Sequence, residues 1–134
     1  ENRVYDGIPA LLAELKAAGK TLVLGTSKPE EFAERILEHF ALRQYFDFVA
    51  GSTMDSARVA KADVLKYALE SLHIAPSERV VMVGDREHDV LGAEAVGLAC
   101  VGVLFGYGDR PELERAGAAE IAADVPQLRK ILLG

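Results

Sequence analysis

The segment VMVGDREHDVLGAEAVG, residues 81–97, sets two carboxylates four residues apart, Asp85 and Asp89, where an apolar run gives way to a helical pattern. A carboxylate that closes a buried strand loses solvation unless it is paired, hydrogen-bonded or bound to a cation. Two carboxylates one helical turn apart, joined by a phosphate oxygen, offer the hard oxygen ligands that suit Mg²⁺. The plainer alternative makes Asp85 a helix cap and Asp89 a complement to the helix dipole. Spacing alone leaves both readings open, although a cap requires neither the preceding Gly84 nor the second aspartate.

Other residues could share that chemistry. The run TLVLGTS delivers Thr26 and Ser27 to a strand end. A hydroxyl there, with exposed backbone N–H groups, can hold a phosphoryl oxygen. It can equally cap the helix that starts near Pro29. Lys61 opens a helical pattern, where a cation opposes the helix dipole. Pairing with a phosphate and with the acidic cluster would give it a reason to be there, although a solvated lysine fits as well. Lys66, one turn on, reads as surface. His39 and His73 read as structural, whereas His88 lies between the two aspartates and is left open. No histidine pair has zinc-ligand spacing.

Positioning these groups falls to an alternation of helices and strands. Helical spacing is expected at 10–19, closed by Gly19, and at 28–42, 61–74, 88–97, 111–117 and 126–133. Strands are expected at 21–27, 46–52, 79–85 and 99–108, with a weak one at 120–125. The alternation implies a three-layer α/β/α fold on a mostly parallel, Rossmann-like sheet. Ligands of such sheets bind beyond the carboxyl ends of the strands. Thr26, Ser27, Ser52, Asp85 and Tyr107 all fall at or just past such ends.

The bulk numbers set limits. One domain is expected from 134 residues, half of them apolar. A net charge of −6 argues against a nucleic-acid surface. The single cysteine, Cys100, sits in an apolar run and reads as a core residue. No run is long enough to span a membrane. A cytoplasmic enzyme fits these features.

Taken together, the residues resemble the haloacid dehalogenase superfamily, in its phosphoglycolate-phosphatase-like branch. LVLGTS is similar to the second motif of that family, KADVLKYAL to the third and VMVGDREHDVLGAEAVG to the fourth. The resemblance implies a Mg²⁺-dependent hydrolase of small phosphomonoesters working through an aspartyl-phosphate. It implies Thr26 and Ser27 as phosphate-binding residues, Thr26 and Lys61 as catalytic ones, and Asp85 and Asp89 as metal-binding ones.

One part of the family pattern is missing. The first motif, a D-x-D that carries the nucleophile, does not occur, and Asp6, Asp47 and Asp55 lack its context. VYDGIP (4–9) looks like the point where the family's chain returns from a helical cap. The resemblance therefore implies a core domain over 1–134 whose nucleophile strand and cap lie upstream of Glu1. The family's sheet order sets that strand between the ones ending at Thr26 and Asp85. Without it two strand edges lack partners, and these residues alone are expected to fold poorly and be inactive. The alternatives are a non-catalytic module of the same fold, or a 5′-nucleotidase-type or sugar-phosphate phosphatase of the same superfamily. A dehalogenase fits the motifs less well. A receiver-type phosphoacceptor domain is disfavoured by the order Thr26, Lys61, Asp85.

Overall fold

The computed structural model describes residues 5–52 and 60–134. Asp55 and Val4 lie outside these. The expected alternation is present throughout. Helices α1 (Ile8–Ala17), α2 (Glu30–His39), α3 (Lys61–Leu72), α4 (Glu87–Ala95), α5 (Arg110–Ala116) and α6 (Val125–Leu133) interleave with strands β1 (Val23–Pro29), β2 (Phe48–Ser52), β3 (Val81–Gly84), β4 (Ala99–Val103) and β5 (Glu120–Ala122). A single 3₁₀ turn, Arg43–Tyr45, leads into β2. Helix α2 stops three residues short of the expected end. Ala41 takes a left-handed φ of 58°, and the Leu42 amide closes back on the Leu37 carbonyl. Pro29 is the N-cap of α2, so β1 runs into that helix without a loop.

All strand pairs are parallel, but they form two separate half-sheets, β1–β2 and β3–β4–β5. Among the described residues no strand lies between β1 and β3. The strands alternate their side chains between two helical layers. Val49, Val101 and Val103 face α1, α2 and α6, whereas Ala50 and Cys100 face α3, α4 and α5. Two helices bridge the half-sheets. Leu11 and Leu15 of α1 pack on Val101 and Val103, while Leu12 of the same helix reaches Leu24 and Val49. On the other face, Val64 and Ala68 of α3 cover Ala50, and Leu65 joins Cys100 and Val90. Met82 is packed in that second layer, but Val81 and Val83, on the opposite side of β3, are 43% and 37% exposed. Central strands of α/β sheets normally bury such residues on both faces.

Asp47, set aside above as a nucleophile, has a structural task. Both its oxygens meet Lys16 Nζ at 2.8 Å, and Oδ2 accepts the Leu22 amide at 2.7 Å. The Lys16 hydrogen bond, helped by the Leu22 amide, holds its carboxyl below the usual carboxylate range. A lowered folded value means stability that is present above the unfolded value, about 4, and lost as pH falls through the folded one. Asp47→Asn is therefore expected to lower the melting temperature at pH 7 and to flatten its decline below about pH 4. Melting curves of both proteins at pH 7, 4.5 and 3.5 check this. Parallel declines in the two proteins would overturn it.

Candidate active site at the sheet edge

Strand β3 ends at Gly84, and α4 begins at Glu87, so Asp85 and Arg86 form the turn between them. The first turn of α4 folds back tightly on the strand. A Cβ at Gly84 would run into the Cβ and carboxylate of Asp89, so only glycine allows the approach. Asp89, 4% exposed, is the hub of the turn. Its Oδ2 accepts the Asp85 amide at 3.1 Å and the Arg86 amide at 3.2 Å. Its Oδ1 lies 2.9 Å from Lys61 Nζ. In this way the first turn of α4 caps the amide of its N-cap, Arg86, and that of the residue before it.

Lys61 is the first residue of α3, and its side chain is 10% exposed. Besides Asp89, its Nζ donates to the Gly25 carbonyl of β1 at 3.2 Å. One ammonium thus ties β1 of the first half-sheet to the turn after β3, across the interval between them. This pairing with the acidic cluster explains a lysine at a helix start. It needs close helices. A Cβ at Gly92 of α4 would lie 2.9 Å from the Cβ and Cγ of Lys61.

Asp85 is held from the other side by the loop after β4. Tyr107 donates its amide to Asp85 Oδ2 at 2.8 Å. A Cβ at Gly106 would collide with the Asp85 side chain, and one at Gly108 with its carbonyl oxygen. The Tyr107 ring itself is 82% exposed. Asp85 Oδ1 has no partner among the described residues. Next in the turn, Arg86 Nε donates to Glu112 Oε2 of α5 at 2.9 Å, and the same oxygen accepts the Glu87 amide at 2.7 Å. Arg86 foremost, then the Glu87 amide, holds the Glu112 carboxyl below its usual range.

Thr26 is half-buried in the middle of β1, directly after the carbonyl that Lys61 holds, and the strand runs on to Pro29 instead of ending at Ser27 as expected. Its Oγ1 accepts the Lys28 amide at 3.1 Å, which leaves the hydroxyl proton available to donate outward. Ser27 is exposed beside it. Lys28 Nζ stands 5.5 Å from the centre of the Phe32 ring at the rim. His88 is exposed on α4, its Nε2 3.9 Å from Asp89 Oδ1. His39 ends α2 with its ring edge-on to Phe40, and His73 takes a left-handed φ of 57° as the C-cap of α3. Burial, reinforced by the Asp89 charge, pushes the Cys100 thiol up to about 12, which makes it an inert core residue.

Among the described residues no three histidine, cysteine, aspartate or glutamate side chains gather as a metal cage. The two aspartates differ as donors. Asp85 keeps one oxygen uncommitted, whereas both oxygens of Asp89 already serve Lys61 and two amides. Gly106 and Gly108 show in the sequence only as a glycine loop after a strand, and nothing there singles out Gly92 or Glu112 for the site. The glycines carried a faint signal, in the G-Y-G after an apolar run and in a glycine inside a helical pattern. Glu112 carried none.

The geometry has counterparts in known proteins. Residues 1–97 match the family model described as haloacid dehalogenase-like hydrolase. The chain belongs to this family. A 5′-nucleotidase of Pseudomonas aeruginosa is 43% identical over 98% of the chain and 59% of its own length. The tyrosine-protein kinase PtkA of Mycobacterium tuberculosis is 45% identical over 98% of the chain and 45% of its own length. A phosphoglycolate phosphatase of Vibrio vulnificus is 30% identical over 98% and 58%. The crystal structure of a predicted phosphatase from Clostridium acetobutylicum superposes with a TM-score of 0.94 at 49% identity, covering 98% of the chain and 60% of that structure. The chain thus spans about half to three fifths of the relatives it matches. As a haloacid dehalogenase-like hydrolase it has the expected α/β core with parallel strands. No helix among the described residues is long and apolar enough to cross a membrane.

Proposed function

We propose that this chain is the core of a Mg²⁺-dependent phosphomonoester hydrolase. The observation that carries the reading is Lys61, which joins the Gly25 carbonyl beside Thr26 to Asp89 beneath the Asp85 turn. A phosphoryl group bound over the interval between the half-sheets would meet Thr26 and Ser27 on one side and Lys61 below. On the other side it would meet the uncommitted oxygen of Asp85.

In this reading Asp85 is the direct metal ligand of the chain. Asp89 holds the turn and Lys61 in place, and its own oxygens are taken up by that task. Mg²⁺, when bound, supplies charge neutralisation for the phosphate and the attacking carboxylate. The Thr26 hydroxyl and Lys61 ammonium stabilise the equatorial oxygens as charge spreads over them. The nucleophilic aspartate comes from a further strand that fills the interval between β1 and β3. It attacks phosphorus in line as the ester P–O bond breaks and the alcohol leaves with a proton from water, and water then hydrolyses the aspartyl-phosphate to the free carboxylate and inorganic phosphate. The inner edges of β1 and β3, unpaired among the described residues, and the exposed Val81 and Val83 support such a strand. A cap that closes over the site would supply specificity. The substrate is a small phosphorylated metabolite. The 5′-nucleotidase and phosphoglycolate phosphatase relatives make nucleoside monophosphates and phosphoglycolate the first candidates.

The test uses the full-length polypeptide with Mg²⁺ and a panel of an aryl phosphate, nucleoside monophosphates and 2-phosphoglycolate. Phosphate release is expected, with a chelator abolishing it and excess Mg²⁺ restoring it. No release from any member, or release untouched by the chelator, would sink the reading. The panel member turned over fastest identifies the substrate class, and release from the aryl phosphate alone would set aside both candidates while leaving the phosphatase reading standing.

A further inference from the structure

The segment after β4 makes five approaches to three consecutive residues. The Tyr107 amide binds Asp85 Oδ2, and Gly106 and Gly108 close on the Asp85 side chain and carbonyl. From α5, one oxygen of Glu112 takes both Arg86 Nε and the Glu87 amide. Asp109, at the N-cap of α5, accepts the Glu112 amide at 3.0 Å and so fixes the base of that side chain. The Glu112 side chain is 16% exposed, against 42% for Arg86, so the carboxylate is the better shielded partner. Its hydrogen bonds go to Arg86 and Glu87, the two residues that follow Asp85.

We propose that Glu112 is a positioning residue for the metal-binding turn: its carboxylate locks Arg86 and the Glu87 amide together, so that Asp85 holds Oδ1 ready for a hard cation. The proposal rests on the reading of Asp85 as the metal ligand. The physical case is the division of labour in the turn. Asp89 fixes the amides of Asp85 and Arg86 from inside, and Tyr107 fixes one Asp85 oxygen from above. Among the described residues Glu112 alone hydrogen-bonds the Glu87 amide and the Arg86 side chain. Loss of such an outer partner loosens the ligand it orients and weakens the metal.

The experiment titrates Mn²⁺ into the full-length polypeptide and follows the free ion by electron paramagnetic resonance. Glu112→Ala is expected to weaken Mn²⁺ binding about tenfold. Glu112→Gln keeps an oxygen acceptor for both donors and is expected to stay within about threefold of the parent. Glu114→Ala, on the same helix but paired with Arg110, should leave the affinity unchanged. Parent-like affinity in Glu112→Ala would overturn the proposal, as would equal losses in the alanine and glutamine variants. If Glu112→Ala does not fold, Arg86→Ala decides, because it removes one donor and leaves the Glu87 amide capped. Weakening then supports the proposal and parent-like affinity overturns it. Asp85→Asn separates the two levels. If it loses Mn²⁺ while Glu112→Ala does not, only the positioning role falls. If Asp85→Asn also binds normally, the metal assignment falls and the positioning role with it.

Discussion

Lys61→Met should cost about 3–5 kcal/mol of stability, the range for removing one partner of a buried ion pair. The loss comes less from the missing attraction than from what stays behind. Asp89 would remain 4% exposed with only two amide donors, and the Gly25 carbonyl would lose its donor as well. Methionine keeps most of the stem volume, so the Gly92 contact survives and the charge is what changes. Chemical denaturation of Lys61→Met, Asp89→Asn and the double variant checks this. The double variant should recover part of the loss, because no unpaired charge is then buried. Additive losses would show that the pair is not coupled. Phosphate release should also fall steeply in every variant lacking Lys61, even at temperatures where the protein remains folded.

Asp85→Asn is expected to leave the fold intact and to lower Mg²⁺-dependent phosphate release by about three orders of magnitude. The asparagine carbonyl can still accept the Tyr107 amide, and the shape matches the collar formed by Gly106 and Gly108. What vanishes is the negative oxygen available to a cation. Steady-state hydrolysis of an aryl phosphate by the full-length polypeptide, alongside a melting curve, separates the two effects. Parent-like turnover would remove Asp85 from the metal site. A collapsed melting temperature would instead assign it a mainly structural role.

Most of the fold was legible because its signals are local. Among the described residues, apolar periodicity and glycine or proline punctuation located each α-helix and strand, including β5, which has only three residues, but not the 3₁₀ turn Arg43–Tyr45. Boundaries slipped where no side chain marks them, as at Ala41, whose left-handed turn ends α2 without a glycine. Along the chain, Asp85 and Asp89 are equivalent acids one turn apart. Only the folded chain shows that Asp89 spends its oxygens on Lys61, 28 positions away by their numbers, and on two amides. Glu112 was invisible for the same reason, since an acid in the first turn of a short helix already has a local explanation in the dipole. The interval between β1 and β3 leaves no trace in periodicity either. It followed only from the resemblance to a family whose first motif has no match here.

The divided sheet also bears on the order of assembly. Residues 23–52 and 81–122 each close a half-sheet within their own stretch of chain, so these pairings carry a smaller loop-closure cost than one that spans the whole chain. A strand arriving from outside these segments would pair with both inner edges at once, and only after they exist. Its docking would be the slow, long-range event, and it would turn two locally cooperative units into one. The last step of folding would then coincide with the arrival of the nucleophile, so that the polypeptide becomes chemically competent only when it becomes mechanically whole.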